Sequence, residues 1–335
     1  MSIIKIRAWR AVMWPDMHLV LLSTFFEVVS HEMHTTEDAL HLSNLVLAIG
    51  LYLAFGTLVN DFFDYEHDQA KGSDRLGGLP KRSAVPIAVI VFGLGLLTSS
   101  LNLDPLSFCI YVLSCVLAVA YSSPPTRLKA RGVHGIWLDV LIERVLPLGM
   151  LFAYVEHFGF PEVLLLCIAT LSQLETILRH QIEDHSADAQ SGIRTFVLEY
   201  TPERTCRILN RYVRPAMTGV VLLFAFTSFP SVTLSLLFTG LIAFGYFFLR
   251  TMELRGRLDR EDPSSPLYFK FLDLVVHSAL PIVYGLLAIA TFPGYALIFA
   301  FAVLTQYPNA RRYQKVATAW LALVFKDRRP WWLLT

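Results

Sequence analysis

Two short runs in the 335-residue chain concentrate acid. The first reads Asn60-Asp61-Phe62-Phe63-Asp64-Tyr65-Glu66-His67-Asp68 and the second Glu183-Asp184-His185-Ser186-Ala187-Asp188. On a helix turning about 100° per residue, Asp61, Asp64 and Asp68 fall within about 60° of one another, with Asn60 only slightly outside. Asp184 and Asp188, four residues apart, also share a face. Like charges this close repel, and each run ends an apolar block, where a helix C-terminus disfavours anions further. Bound cations relieve both penalties. Hard oxygen ligands select magnesium, which keeps some of its waters and typically bridges to substrate phosphates. Asn60, Asp61, Asp64 and Asp68 are therefore the expected Mg2+ ligands of the first run. A solvated acidic cap would explain one or two acids, but it does not explain an asparagine and three aspartates on one helical face.

The elements that must carry these runs are membrane helices. Hydrophobic residues make up 55% of the chain and charged residues only 16%, and the mean hydropathy is +0.52, well above that of a water-soluble protein of this size. The apolar residues run in blocks of membrane-spanning length instead of stripes at helical or strand periods. Such blocks predict spans near 16–30, 43–62, 83–101, 106–121, 135–155, 161–180, 213–229, 232–250 and 271–290, with a shorter stretch at 294–306. The expected fold is thus all-α, a polytopic transmembrane bundle of about nine, or with the last stretch ten, helices around a central cavity. Lys5, Arg7 and Arg10 precede an apolar block from about Met17 as in a signal peptide. No small-residue cleavage site follows, so this block is read as the first span.

Charge in the connections alternates. Lys71, Arg75, Lys81 and Arg82 lie between the second and third spans, and Arg127, Lys129 and Arg131 between the fourth and fifth. Arg194, Arg204, Arg207 and Arg211 follow the sixth, and Arg255, Arg257, Arg260 and Lys270 the eighth. The opposite connections, around 31–42, 102–105, 156–160 and 229–231, hold no lysine or arginine. The positive-inside rule puts the first set, the N-terminus and both acidic runs at the cytoplasmic side. Arg311, Arg312, Lys315, Lys326, Arg328 and Arg329 crowd the tail, which sits inside only with ten crossings or a re-entrant hairpin broken at Pro293-Gly294. No repeat or linker divides the chain, so 1–335 is expected to be one domain, with a core of about 15–290 and a C-terminal hairpin and tail at 291–335. A formal net charge of +1 offers nothing to nucleic acid. Cys109, Cys115, Cys167 and Cys206 suggest neither a metal site nor a disulfide framework.

The residues of both runs carry a resemblance. Asn60-Asp61-x-x-Asp64-x-x-x-Asp68 resembles the first signature of the UbiA superfamily of intramembrane prenyltransferases, and Asp184-x-x-x-Asp188 followed by Gly192-Ile193-Arg194-Thr195 is similar to the second. Tyr121-Ser122-Ser123-Pro124-Pro125-Thr126-Arg127-Leu128-Lys129, followed by Arg131-Gly132, resembles the loop after the fourth helix in members that prenylate homogentisate or chlorophyllide. The likeness covers roughly 15–290 and implies a lateral-opening cavity in which each acidic motif binds Mg2+ and the two hold one isoprenyl diphosphate. Two departures leave the acceptor subfamily open. Gln181 stands where some relatives have aspartate, and Gly72-Ser73-Asp74-Arg75-Leu76-Gly77-Gly78 replaces an arginine-proline element.

The resemblance implies Mg2+-dependent transfer of an isoprenyl group to an aromatic acceptor, or, as the alternative, an intramembrane terpene cyclase using the diphosphate alone. A transporter would place its acids near mid-membrane. Asp61, Asp64, Asp184 and Lys129 form the expected catalytic set. Ionisation of an allylic diphosphate loads charge onto the leaving group, so Asn60, Lys71, Arg75, Tyr121, Arg127, Lys129 and Arg194 are expected at the substrate, arginine as a fork and lysine as a point charge. Ionisable residues within spans tend to mark function. Asp139, Glu143 and Arg144 in the fifth span and Glu175 and Arg179 in the sixth are expected to pair among themselves or to orient or deprotonate the acceptor. Asp273 and His277 are a second such pair.

Overall fold

The computed structural model describes residues 6–11, 15–70, 72–191, 195–254, 266–307, 314 and 316–318. Lys71, Gly192, Ile193 and Arg194 lie outside the described residues, as do most of the tail cations.

A short helix α1 (Arg7–Ala11) leads into α2 (Pro15–Ser30). From Met17 to Val28 the apolar side chains of α2 are almost completely buried, and a helix apolar all round belongs at the centre of a bundle. The long helix α3 (Thr36–Phe63) begins with a capping box, in which Thr35 and Asp38 satisfy each other's backbone N–H groups. It ends at Asp64, and a separate turn of helix, α4 (Tyr65–Ala70), carries the rest of the first acidic run. The hairpin of α5 (Ala84–Asn102) and α6 (Pro105–Ser122) packs on α3. Asp104 caps α6, accepting from the backbone N–H of Leu106 at 2.9 Å. There follow α7 (Val133–Val140), α8 (Leu146–Tyr154), α9 (Phe160–Ser191), α10 (Phe196–Tyr200) and α11 (Pro202–Ile208). The chain closes with α12 (Arg214–Ser228), α13 (Val232–Leu254), α14 (Leu267–Leu274), α15 (Leu280–Thr291) and α16 (Ala296–Thr305).

The ten predicted apolar blocks coincide with these helices, but they differ in kind. Six segments among the described residues are long and apolar enough to cross a membrane: Thr36–Phe63, Lys81–Asn102, Pro105–Ser122, Phe160–Ser186, Val232–Leu254 and Leu267–Thr291. Three more, α2, α7 with α8, and α12, are shorter or interrupted, and Pro293–Thr305 is a short apolar helix. Val89, Ile90, Leu97 and Leu101 on α5, like Leu237, Leu241 and Phe244 on α13, point outward and are exposed, the apolar rind of a protein whose solvent is lipid.

A device the sequence did not disclose recurs three times. π-Helical turns at Leu141–Val145, Leu209–Val213 and Val275–Ala279 each precede a helix whose second residue is proline: Pro147, Pro215 and Pro281. Proline lacks an N–H and clashes with the carbonyl four residues back, so a widened turn accommodates it and frees carbonyls. The Ile142 carbonyl accepts instead from the Tyr52 hydroxyl at 2.6 Å, and that of His277 from the Gln306 amide at 3.1 Å.

Candidate active site

The C-terminal parts of α3 and α9 open onto one cavity of about 910 Å³. From the first run Asn60, Asp64 and Asp68 line it, and from the second Asp184 and Asp188, 120 residues further along the chain from Asp64 and Asp68. Arg75, Tyr121, Arg127 and Lys129 line it too.

The loop after α6 delivers its cations by backbone conformation. Arg127 adopts a left-handed φ of 31°, Gly132 one of 54°, and the turn at Leu128–Ala130 rests on the first turn of α7. A Cβ at Gly135 would stand 2.8 Å from the Lys129 carbonyl, so only glycine allows this approach. Lys129 Nζ then donates to Asn60 Oδ1 at 2.8 Å and Asp64 Oδ2 at 2.5 Å. Arg127 Nη2 donates to Asp64 Oδ1 at 3.4 Å, and Ser122 Oγ to Asn60 Oδ1 at 3.0 Å. Burial pulls the Lys129 ammonium below the usual lysine range, with Asp64 opposing.

Asp61 departs from the expected common face. It is 1% exposed and does not line the cavity. Both its oxygens accept from the Arg7 guanidinium, and Arg75 Nη1 lies 3.8 Å away. Asp64 keeps the helical register through its N–H to the Asn60 carbonyl at 3.0 Å, so at about 100° per residue Asn60 and Asp64 face the cavity together while Asp61, about 100° round from Asn60, turns to Arg7. Arg7, read from sequence only as a positive flank, is held by its backbone N–H to the Arg75 carbonyl at 2.9 Å. Arg75 also reaches Asp68 Oδ1 at 3.0 Å, whereas Asp68 Oδ2 is buried without a hydrogen-bond partner among the described residues. Burial pushes the Asp68 carboxyl up, against the pull of Arg75.

Deeper in the cavity the ionisable residues of the spans pair differently from the sequence expectation. Among the described residues Arg144 makes its ion pair with Asp16, its Nη2 3.0 Å from Oδ1, instead of with Asp139 or Glu143, and its Nε donates to Gln173 Oε1 at 3.1 Å. The Gln173 amide in turn donates to Asp139 Oδ2 and Glu143 Oε2, each at 2.6 Å, and the Tyr121 hydroxyl donates to Asp139 Oδ1 at 2.8 Å. Glu175 is held by Arg214 at 2.8 Å more closely than by Arg179 at 3.7 Å, and Arg179 turns to Glu183 at 2.9 Å. His277 Nδ1 sits 3.0 Å from Asp273 Oδ1, and its Nε2 lies 3.2 Å from Ser172 Oγ. Gln173, Arg214 and Asp16 were missed; as single polar residues in apolar blocks they carry no spacing signal.

A helical bundle embedded in lipid, with two acidic helix ends and a cationic loop around one cavity, defines the class of this protein. A model of the UbiA prenyltransferase family matches residues 21–275, more than half of the chain, and the chain belongs to that family. Among solved structures, a UbiA homolog from Archaeoglobus fulgidus bound to DMAPP and Mg2+ is 17% identical, with a TM-score of 0.57 over 84% of this chain and 99% of that one. The homolog bound to GPP and Mg2+ is 16% identical, with a TM-score of 0.55 over 89% and 99%. An apo UbiA homolog from Aeropyrum pernix K1 is 15% identical, with a TM-score of 0.55 over 82% and 97%. At these identities the likeness speaks for the fold. No curated protein sequence matches the chain.

Proposed function

We propose that this chain, acting as a single domain, transfers an isoprenyl group from an isoprenyl diphosphate to an aromatic acceptor, with Mg2+ as cofactor and the site at the cytoplasmic side. The observation that carries this reading is the opening of both acidic runs onto one cavity beside Lys129 and Arg127. Two A. fulgidus homolog structures that hold DMAPP or GPP together with Mg2+ support it.

The residues present fit the ion. Asp64, Asp68, Asp184 and Asp188 offer hard carboxylate oxygens around the cavity, and the buried, unpartnered Oδ2 of Asp68 is an acceptor in need of a cation. Bound magnesium neutralises charge on a departing diphosphate. Lys129, Arg127 and Arg75 stand where they can exchange their carboxylate partners for phosphate oxygens, and Asp61 and Arg7 fix the helix end from which Asp64 projects. In the transfer the donor C1–O bond breaks, its electron pair leaves with the diphosphate, and the allylic carbon bonds to a ring carbon of the acceptor. The ring proton then passes to a base. Asp139 and Glu143, fixed by Gln173 in the same cavity, are placed to orient the acceptor or take that proton.

The test is turnover by detergent-solubilised protein given Mg2+ and geranyl diphosphate, with and without a panel of phenolic acids. Prenylated acceptor is expected; a hydrocarbon or terpene alcohol from the donor alone would establish the cyclase instead. Asp64→Asn and Asp184→Asn should each lower the rate at least about 100-fold, the scale for losing one electrostatic stabiliser, while melting stays near that of the parent. Rates within about tenfold of the parent would defeat the metal assignment.

A further inference from the structure

At the opposite end of the bundle a second cluster has a different ligand chemistry. Glu27 stands eleven residues along α2 from Asp16, about 16 Å by the helical rise, and Asp16 already lies in the active cavity. Glu27 is fully buried, and among the described residues neither of its carboxylate oxygens has a hydrogen-bond partner. His31, just past the end of α2, and His157, in the turn between α8 and α9, each place a ring nitrogen 3.5 Å from the same Glu27 oxygen. Their rings stack at 3.6 Å, and His157 Nδ1 is buried with no hydrogen-bond partner among the described residues. Glu162, 2% exposed at the start of α9, sets Oε1 3.4 Å from His31 Nε2 while its Oε2 accepts from the Gly159 N–H at 2.7 Å.

Hydrogen bonding accounts for only part of this arrangement, since His31 Nε2 reaches Glu162 Oε1 at 3.4 Å but neither oxygen of Glu27 is so engaged among the described residues. A buried carboxylate without donors is costly, and separations of 3.4–3.5 Å are long for hydrogen bonds. Two protonated imidazoles stacked face to face would repel. The connections on this side, 31–42 and 156–160, hold no lysine or arginine. The separations are close to the edge of a coordination tetrahedron, about 3.3 Å for two bonds of ~2.0–2.1 Å; because an imidazole ligates in its own ring plane, one of the two stacked rings would turn about its χ2 to share an ion. One ligand atom from each of Glu27, His31 and His157 lies within 4.8 Å of the others, close enough to share one ion. The C-termini of α2 and α8 also converge here, and both favour positive charge.

We propose that Glu27, His31 and His157, with Glu162 beside them, bind one zinc-class divalent ion that ties the end of α2 to the turn between α8 and α9. Two imidazole nitrogens with carboxylate oxygens select zinc and its neighbours over magnesium or calcium, so the two ends of the bundle take different metals. His31 and His157, with side chains 30% and 40% exposed, give the ion a way in from the aqueous phase on that face.

The test uses full-length protein purified without a polyhistidine tag, stripped with chelator and titrated with Co2+ as a spectroscopic stand-in for Zn2+. One equivalent should bring up visible d–d bands of four- or five-coordinate intensity, displaced by Zn2+ but not by excess Mg2+. His157→Ala and Glu27→Gln should each weaken binding at least about tenfold, the smallest loss expected even for groups that only support a ligand. Asp64→Asn combined with Asp184→Asn should leave the bands intact. His157→Ala removes a half-exposed side chain, so its readout survives if Glu27→Gln fails to fold. Absence of the bands in the parent, bands unchanged in His157→Ala, or bands lost in the Asp64/Asp184 variant would each overturn the assignment.

Discussion

Lys129 sits where burial disfavours its charge and Asp64 opposes that only in part, while its ammonium donates to Asn60 and Asp64. A cation so held is already desolvated and aimed before any anion arrives, which is what makes one electrostatic contact effective in catalysis. Lys129→Ala is expected to lower kcat/KM for the isoprenyl diphosphate about 10²–10³-fold. Lys129→Arg should recover part of that loss, since the charge remains while the point contact becomes a fork. Steady-state kinetics with donor varied checks both, and an alanine variant within about threefold of the parent would remove Lys129 from the reaction. The grouping of Asn60, Asp64 and Asp68 was legible from helical spacing, and Lys129 from the resemblance of its loop to the family. The partnership of Arg7 with Asp61 was not, because it joins residues 54 positions apart and no local period connects them.

The turn that carries Lys129 is itself positioned by an element, the first turn of α7. Its bare Gly135 lets the Lys129 carbonyl approach, and Gly132 takes the positive φ that turns the chain into the helix. Gly135→Ala is expected to displace this loop by a few tenths of an ångström or more. It should cost kcat/KM about tenfold, because misplacement of this size is expensive at an oriented site, while thermal stability shifts by only about 1–2 kcal/mol. Unchanged kinetics with intact folding would show that Lys129 does not depend on this contact. Sequence patterning found each apolar block, yet it could not show which helices widen before their prolines. A proline one residue into a regular helix reads as an ordinary N-terminal signal, and the π turn ahead of it arises from the continuing chain.

At the scale of the whole molecule, lysine and arginine gather at the end of the bundle that bears the acidic runs, while the other end carries acids and histidines. One helix, α3, links the two, with Glu37 at its start and the exposed Glu66 just past its end; at 1.5 Å per residue it is about 42 Å long, enough to cross the bilayer. With the native cysteines replaced, Glu66→Cys should react with a membrane-impermeant maleimide only from the cytoplasmic face, and Glu37→Cys only from the other. The reverse pattern would invert the proposed orientation, and labelling of both from one face would deny that α3 crosses. The outward apolar side chains of α5 and α13 require this setting, since in water they would form a patch far larger than soluble proteins carry.

By itself the sequence determined the ten apolar segments, the sorting of charge to two faces and the acid-bearing ends of α3 and α9, because hydropathy, charge bias and helical spacing are local quantities. Only the tertiary structure decided which carboxylate meets which cation. Asp61 turned from the cavity to Arg7, Gln173 came between Asp139 and Glu143, and Arg214 took Glu175. The union of Glu27 with His31 and His157 belongs to the same class of facts. Each depends on the rotation of one helix against another, and that rotation is set by packing summed over the whole bundle, which no stretch of sequence contains.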